Sequence, residues 1–365
     1  MPTAQRMTAR ERAEFRLARA LARLPHRAQV RLSGKPPVEI DGQRLHPEIQ
    51  LALALLEKRG DPPMETLPPA EARARTSRQA AVVAGRVASV GGVRDLQIPG
   101  PAGPLPVRHY VPEEPGGPHG LLVFLHGGGF VVGGIDTHDG VCRLLCRHAG
   151  VHVLSVDYRL APEHPFPAAV DDSVAAWRWV AEHAAELGAD PEQLAIGGDS
   201  AGGNLAAVVC QLAARDGGPL PAAQLLIYPV TDAADDTPSR GMFADGFYLT
   251  KAEMDWFHGN YTSPSDDPTD VRLSPLRAAD LAGQPPAVVV TAGFDPLRDE
   301  GEAYAHALRD AGVPVVLRRF TGLIHAFINM TAVSPAAHDA VVETAGALRA
   351  VLAVARTREP AADPV

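Results

Sequence analysis

The sequence predicts an α/β fold, a mostly parallel central sheet flanked by helices and covered by a helical cap, and three observations predict it. Short apolar runs of strand length alternate with helical patterns from Leu121 onward, the signature of strand-helix-strand units. One of those runs, Leu194-Ala195-Ile196, enters the glycine-flanked serine Gly198-Asp199-Ser200-Ala201-Gly202 and passes straight into a small-residue helix ending near Ala214. The alternation breaks once, from Val230 to about Thr269, where no strand pattern is found.

The first part of the chain, 1–80, reads as helices and connectors outside the sheet, a first cap segment. Thr8-Ala9-Arg10-Glu11 fits a capping box, followed by Phe15, Leu17, Leu21 and Leu24 among Arg16, Arg19 and Arg23. A basic amphipathic helix suits an acidic membrane surface or a place against its own protein, and its modest apolar face favours the second. A second helix is expected from His46 to Arg59, stopped by Gly60 and Pro62, and a third from Ala70 to Ala84. Ala88 to Gln97 and Leu105 to Val111, joined by Pro99-Gly100-Pro101-Ala102-Gly103, predict an antiparallel pair that opens the sheet.

Strands are then expected at Leu121 to Leu125, Val151 to Val156, Leu194 to Ile196, Gln224 to Tyr228, Ala287 to Thr291 and Val315 to Phe320. Helices are expected near His138 to His148, Ala168 to Leu187, Ala201 to Ala214, Glu300 to Ala311 and Ala336 to Val354. This gives a catalytic domain over 81–230 and 266–355, a second cap segment over 231–265 inserted into it, and a short tail over 356–365. Within 242–261 fall six of the 19 aromatic residues of a chain poor in them, Phe243, Phe247, Tyr248, Trp256, Phe257 and Tyr261. They serve the insertion's own small core or line an acyl or aryl pocket.

Composition excludes several function classes. A net charge of -9 argues against a nucleic-acid partner, and no apolar run approaches the roughly 20 residues of a membrane span. The three cysteines, Cys142, Cys146 and Cys210, imply no disulfide framework, and with no secretory segment near Met1 a cytoplasmic location is expected. His138, Cys142 and Cys146 share a helix face, yet their spacing is not that of a structural zinc site, so no metal is expected.

The pentapeptide around Ser200 carries chemistry because a sharp strand-to-helix turn exposes the serine hydroxyl and aims helix amides at whatever it attacks. Glycine is required at Gly198 and Gly202, where the two backbones approach each other. A second stretch, His126-Gly127-Gly128-Gly129-Phe130, follows the strand Leu121 to Leu125, and consecutive glycines let backbone amides face an anion. A phosphate cradle is disfavoured, since the chain lacks a Gly-Lys-Ser/Thr ending. An acid and a base are expected in the order Ser, Asp or Glu, His, at strand ends. Asp295 follows the strand Ala287 to Thr291, with Asp299 and Glu300 as weaker candidates, and His325 follows the strand Val315 to Phe320.

These residues resemble the hormone-sensitive-lipase-like family of α/β-hydrolases, bacterial esterases marked by HGGG and GDSAG. Asp157-Tyr158-Arg159-Leu160-Ala161-Pro162-Glu163, Ser274-Pro275-Leu276 and Asp295-Pro296-Leu297-Arg298-Asp299-Glu300 carry the same resemblance, which runs from about His46 to about Val354. It implies the α/β-hydrolase fold, with Ser200, Asp295 and His325 as catalytic residues in a serine carboxylesterase acting on short- to medium-chain acyl or aryl esters. Amides of Gly127, Gly128 and Ala201 would form the oxyanion hole, and Phe130, Asp199, Phe247, Tyr248 and Trp256 are the substrate-binding candidates. His126 would orient the glycine loop, and Arg159 with Glu163 would form a structural ion pair beneath the site. Ala326 stands where the family usually has glycine. No cofactor is implied; the partner is a small ester, and dimers through the last strand are frequent in the family. Amide or lactone cleavage by the same residues, and a hormone-holding role as in gibberellin receptors, are the alternatives; the presence of His325 opposes the latter.

Overall fold

A computed structural model describes residues 9–84, 88–113 and 119–356. Thr8, on which the first capping box was expected, lies outside them, as does the tail from residue 357. The chain opens with α1 (Ala9–Ala22) and α2 (His26–Ser33), a minimal hairpin of β1 (Glu39–Ile40) and β2 (Gln43–Arg44), then α3 (Pro47–Arg59) and α4 (Pro69–Ala84). Helix α3 follows its sequence signals: His46 occupies the N-cap, Pro47 the first turn, and Gly60 ends it at φ 65°. The second helix and the hairpin, built from polar residues with little periodicity, are additions to the expected elements.

The sheet then begins with β3 (Gly92–Gly100), β4 (Gly103–Val111), β5 (His119–Leu125), α5 (Ile135–Ala149), β6 (His152–Val156), α6 (Ala168–His183), β7 (Ala189–Asp199), α7 (Ala201–Asp216) and β8 (Ala223–Ile227). Two helices fill the insertion, α8 (Pro238–Met242) and α9 (Lys251–Tyr261), after which β9 (Ala287–Phe294), α10 (Arg298–Asp310), β10 (Val315–Ile324) and α11 (Pro335–Arg356) complete the chain. Eight strands form one sheet in the order β10-β9-β8-β7-β5-β6-β4-β3. Only β3 with β4 and β4 with β6 pair antiparallel.

Strand β5 shows why the central strands are apolar throughout. Leu121, Val123 and Leu125 face a core closed by α6, α7 and α10, while Leu122 and Phe124 face a second core closed by α5 and α11. All five are fully buried, which removes the polar alternation a half-exposed strand would show. At about 25 cal/mol per Å² of apolar surface, each contributes roughly 1.5–3 kcal/mol.

Residues 39–48 are stitched to the far end of the chain. Gln43 Nε2 reaches the carbonyl of Gly293 at 3.5 Å, and the His46 amide donates to that of Gly322 at 2.9 Å. Arg298 pairs with Asp41 at 3.0 Å, and buried Glu48 accepts hydrogen bonds from Ser334 Oγ and the Ala336 amide. Residues 39–48 therefore hold the two strands, β9 and β10, that end at Asp295 and His325.

Candidate active site

Strand β7 ends at Asp199 and α7 begins at Ala201, leaving Ser200 as the one-residue corner with φ 54° and ψ -117°. Its amide donates to the Ile227 carbonyl at 2.8 Å, and its own carbonyl accepts from the Asn204 amide at 3.0 Å. Those bonds hold the strained corner, and the side chain caps nothing in its helix. A Cβ at Gly202 would fall on the carbonyl of Leu125, and one at Gly198 would lie 2.6 Å from the backbone of Gly202. The two glycines are thus fixed by contact between β5, β7 and α7.

Ser200 Oγ lies 3.0 Å from His325 Nε2, and His325 Nδ1 lies 2.8 Å from Asp295 Oδ2. The second Asp295 oxygen accepts the Leu297 amide at 2.8 Å, so the carboxylate cannot swing away. With Nδ1–H given to Asp295, Nε2 is left as acceptor for the serine proton. Asp295 is wholly buried, and His325 and Ser200 retain 5% and 8% of their surface. The Tyr228 ring supports the imidazole from 4.5 Å. The other acidic candidates have different partners: Asp299 accepts the Ser239 amide at 2.8 Å, and Glu300 pairs with Arg240 at 2.6 Å. Burial outweighs Arg240 at Glu300 and pushes its carboxyl up to about 7.

The glycine loop corrects one expected donor. The Gly127 amide is already committed, donating to Asp199 Oδ1 at 2.8 Å, and a Cβ there would strike the same carboxylate. Gly128, Gly129 and Phe130 follow with φ of 125°, 57° and 64°, and the Gly128 carbonyl turns back to accept from Val131 and Val132. Among the described residues the amides of Gly128, Gly129 and Ala201 have no protein acceptor. The loop amides left without an acceptor are therefore those of Gly128 and Gly129, and that of Gly127 is not among them. The repeated glycines alone could not reveal which one a carboxylate 72 residues away would engage.

Asp199 is likewise no substrate contact. It is 2% exposed, and besides Gly127 it receives the Tyr228 hydroxyl at 3.3 Å and faces His138 Nε2 at 3.2 Å. Burial raises its pKa, but His138 and the Gly127 amide together outweigh burial and hold it below the usual carboxylate value. His126 packs flat on Tyr158 with ring centroids 4.2 Å apart and donates Nδ1–H to the Gly127 carbonyl at 2.9 Å. Burial, aided by His138, pulls His126 down to about 3, so it is neutral. His138 is thus engaged with a carboxylate, and Cys142 and Cys146 are separately buried as free thiols. Arg159 pairs with Asp172 in the second turn of α6 at 2.8 Å, while Glu163 pairs with Arg73 of α4. The expected Arg159–Glu163 pair is thereby replaced by two others, one of which ties α4 to the segment between β6 and α6.

The insertion packs its aromatics in two groups. Phe247 joins Phe243 and Phe294 at 5.4 Å from each ring, beside the strand that ends at Asp295, and Tyr248 is the most exposed of the set at 41%. Phe130 stacks on Tyr261 at 3.9 Å, and Trp256 meets Phe257 at 5.2 Å. The Phe257 ring lies directly over Gly129, where a Cβ would enter it. Phe257 was visible in the aromatic-rich stretch, but nothing in its spacing separated it from its neighbours. Glu253 closes the α9 capping box with Thr250; burial pushes its carboxyl up to about 7, against the pull of Arg75 and His325.

Residues 122–329, more than half of the chain, match the model of a family described as the alpha/beta hydrolase fold. The carboxylic ester hydrolase LipN of Mycobacterium tuberculosis is 57% identical over 71% of this chain and 70% of its own length. An ethyl acetate hydrolase of Pseudomonas putida is 39% identical over 84% of this chain and 98% of its own. Among solved structures, an ester hydrolase from the metagenome of Lake Arreo, complexed with a bipyridine phosphonate derivative, superimposes with a TM-score of 0.82. It is 44% identical and covers 84% of this chain and 98% of its own. With a strand-turn-helix serine, a glycine loop and this sheet order, the chain belongs to the α/β-hydrolase family, in its hormone-sensitive-lipase-like branch.

Proposed function

We infer that the protein is a serine carboxylesterase that cleaves short- to medium-chain acyl or aryl esters through an acyl-enzyme. The observation that carries this reading is the unbroken relay Ser200 Oγ, His325 and Asp295, at 3.0 and 2.8 Å, beside amides that have no acceptor of their own. His325 Nε2 takes the serine proton as Oγ attacks the ester carbonyl, and Asp295 keeps the imidazole in the right tautomer and stabilises its charged form. The amides of Gly128, Gly129 and Ala201 receive the oxyanion, one such donor contributing about 3 to 4 kcal/mol where water is excluded. His325 then returns its proton to the leaving alcohol and activates water to release the acid. Every group this sequence requires comes from the chain itself.

The sizes of the substrates are argued from the roof. Phe257 above Gly129, Trp256 beside it and Phe130 on Tyr261 crowd the entrance, which suits compact acyl groups such as the acetate named for the Pseudomonas putida relative. The described helices include none long and apolar enough to cross a membrane, and the buried free cysteines suit a reducing cytoplasm. Strand β10 ends the sheet with Val316 exposed, an edge suited to a second copy, and light scattering of the purified protein tests that dimer.

Hydrolysis of nitrophenyl esters from acetate to palmitate tests the activity. Activity is expected to peak at short or medium chains, and Ser200→Ala is expected to lower kcat on the order of 10⁶-fold while leaving the circular dichroism spectrum unchanged. A folded Ser200→Ala protein with near-normal turnover would overturn the assignment.

A further inference from the structure

Asp199 raises a question that ester hydrolysis alone leaves open. Its buried carboxylate holds the Gly127 amide and so lies directly behind the loop whose next two amides are free for the oxyanion. A bare carboxylate in that place would oppose the negative charge that develops on the substrate oxygen, and the low-dielectric surroundings would screen it poorly.

His138 on α5 supplies the counter-charge. Its Nε2 is 3.2 Å from Asp199 Oδ1, and its Nδ1 is 2.8 Å from Thr137 Oγ1. The Thr137 hydroxyl also lies 2.8 Å from the Gly134 carbonyl, and with its proton given there it accepts from His138 Nδ1. An imidazolium fits these two contacts, with Nδ1–H toward the hydroxyl oxygen and Nε2–H toward the carboxylate. The Asn329 side-chain amide, 3.3 Å from the same Nε2, presents its oxygen there after a half-turn. The rings beside it are the neutral His126 ring at 5.6 Å and the Phe124 ring at 6.1 Å.

We propose that His138 is a positioning residue whose imidazolium pairs with Asp199, fixes the Gly127 end of the glycine loop and cancels a buried negative charge behind the oxyanion. This rests on the ester-hydrolase reading. The oxyanion exists only after attack, so loss of the pair is expected to slow kcat and to leave KM nearly unchanged.

The test compares wild type, His138→Gln, and the double variant His138→Gln with Asp199→Asn on nitrophenyl acetate. His138→Gln is expected to lower kcat between tenfold and a hundredfold with KM within about twofold, and the double variant, which removes the stranded charge, to recover about tenfold. A single variant as fast as wild type, or a double variant no faster than the single, overturns the proposal. Nitrogen-15 NMR of the wild-type protein at neutral pH needs no variant: two N–H protons on His138 are expected, and one alone overturns it. If wild type hydrolyses esters and Ser200→Ala does not, a normal His138→Gln enzyme defeats this proposal only; if wild type is inert, the ester reading itself fails.

Discussion

Of the six described non-glycine residues with positive φ, Phe130, Ser200, Tyr228 and Ala326 lie in or beside the relay and the glycine loop. Strain concentrated there reflects a site held in place by its surroundings. Ala326 sits at φ 62° and ψ 18°, left-handed, immediately after His325. That conformation favours glycine, and Ala326→Gly is expected to stabilise the fold by about 0.5–1 kcal/mol in a urea titration. Gly202→Ala should act in the opposite sense and strongly, by more than about 4 kcal/mol, because its Cβ meets the Leu125 carbonyl, which cannot retreat; soluble yield and melting temperature report it. Ser200, Asp295 and His325 were readable because each is tied to a strand end that the sequence reveals. The commitment of Gly127 to Asp199 was not, since it depends on where two distant segments place a carboxylate and an amide.

At the scale of elements, α9 carries Phe257 over Gly129. It begins with a complete capping box, Thr250 accepting from the Glu253 amide while Glu253 reaches back to the Thr250 amide. Thr250→Ala is expected to lose about 1 kcal/mol of that helix's stability, read as faster amide hydrogen exchange in α9 with little change elsewhere. Phe257→Ala opens the space above Gly129 and should shift the preference of the enzyme toward longer acyl chains; an unchanged chain-length profile would return Phe257 to a packing role. Strand ends were less legible than strand centres. Strand β9 continues past Thr291 to Phe294 and β10 past Phe320 to Ile324, because pairing with each other and contact with residues 39–48 hold glycine-containing segments that carry little strand preference of their own.

For the whole molecule, buried histidines set the acid limit. Burial, reinforced by a neighbouring histidine in each case, pulls His109 and His126 to about 3 and His152 to about 4, from an ordinary value of 6.5. The unfolded chain therefore binds protons that the folded one refuses. The contribution of these three histidines is expected to be full above pH 6.5 and to be lost as pH drops toward 4, offset in part by Glu253 and Glu300, whose carboxyls burial raises to about 7; a net fall in melting temperature across that range would show it. Alternation in the sequence was enough to define the layers of this molecule, because every parallel strand must be covered on both faces. It could not reveal that residues 39–48 close onto the last two strands.

That closure has a consequence for how the protein is made. Gln43 leaves the ribosome 250 residues ahead of Gly293, its partner. At about 5–20 residues per second, residues 39–48 wait on the order of tens of seconds for the strands they will hold. The relay is assembled only when the final strand arrives, since His325 follows it directly.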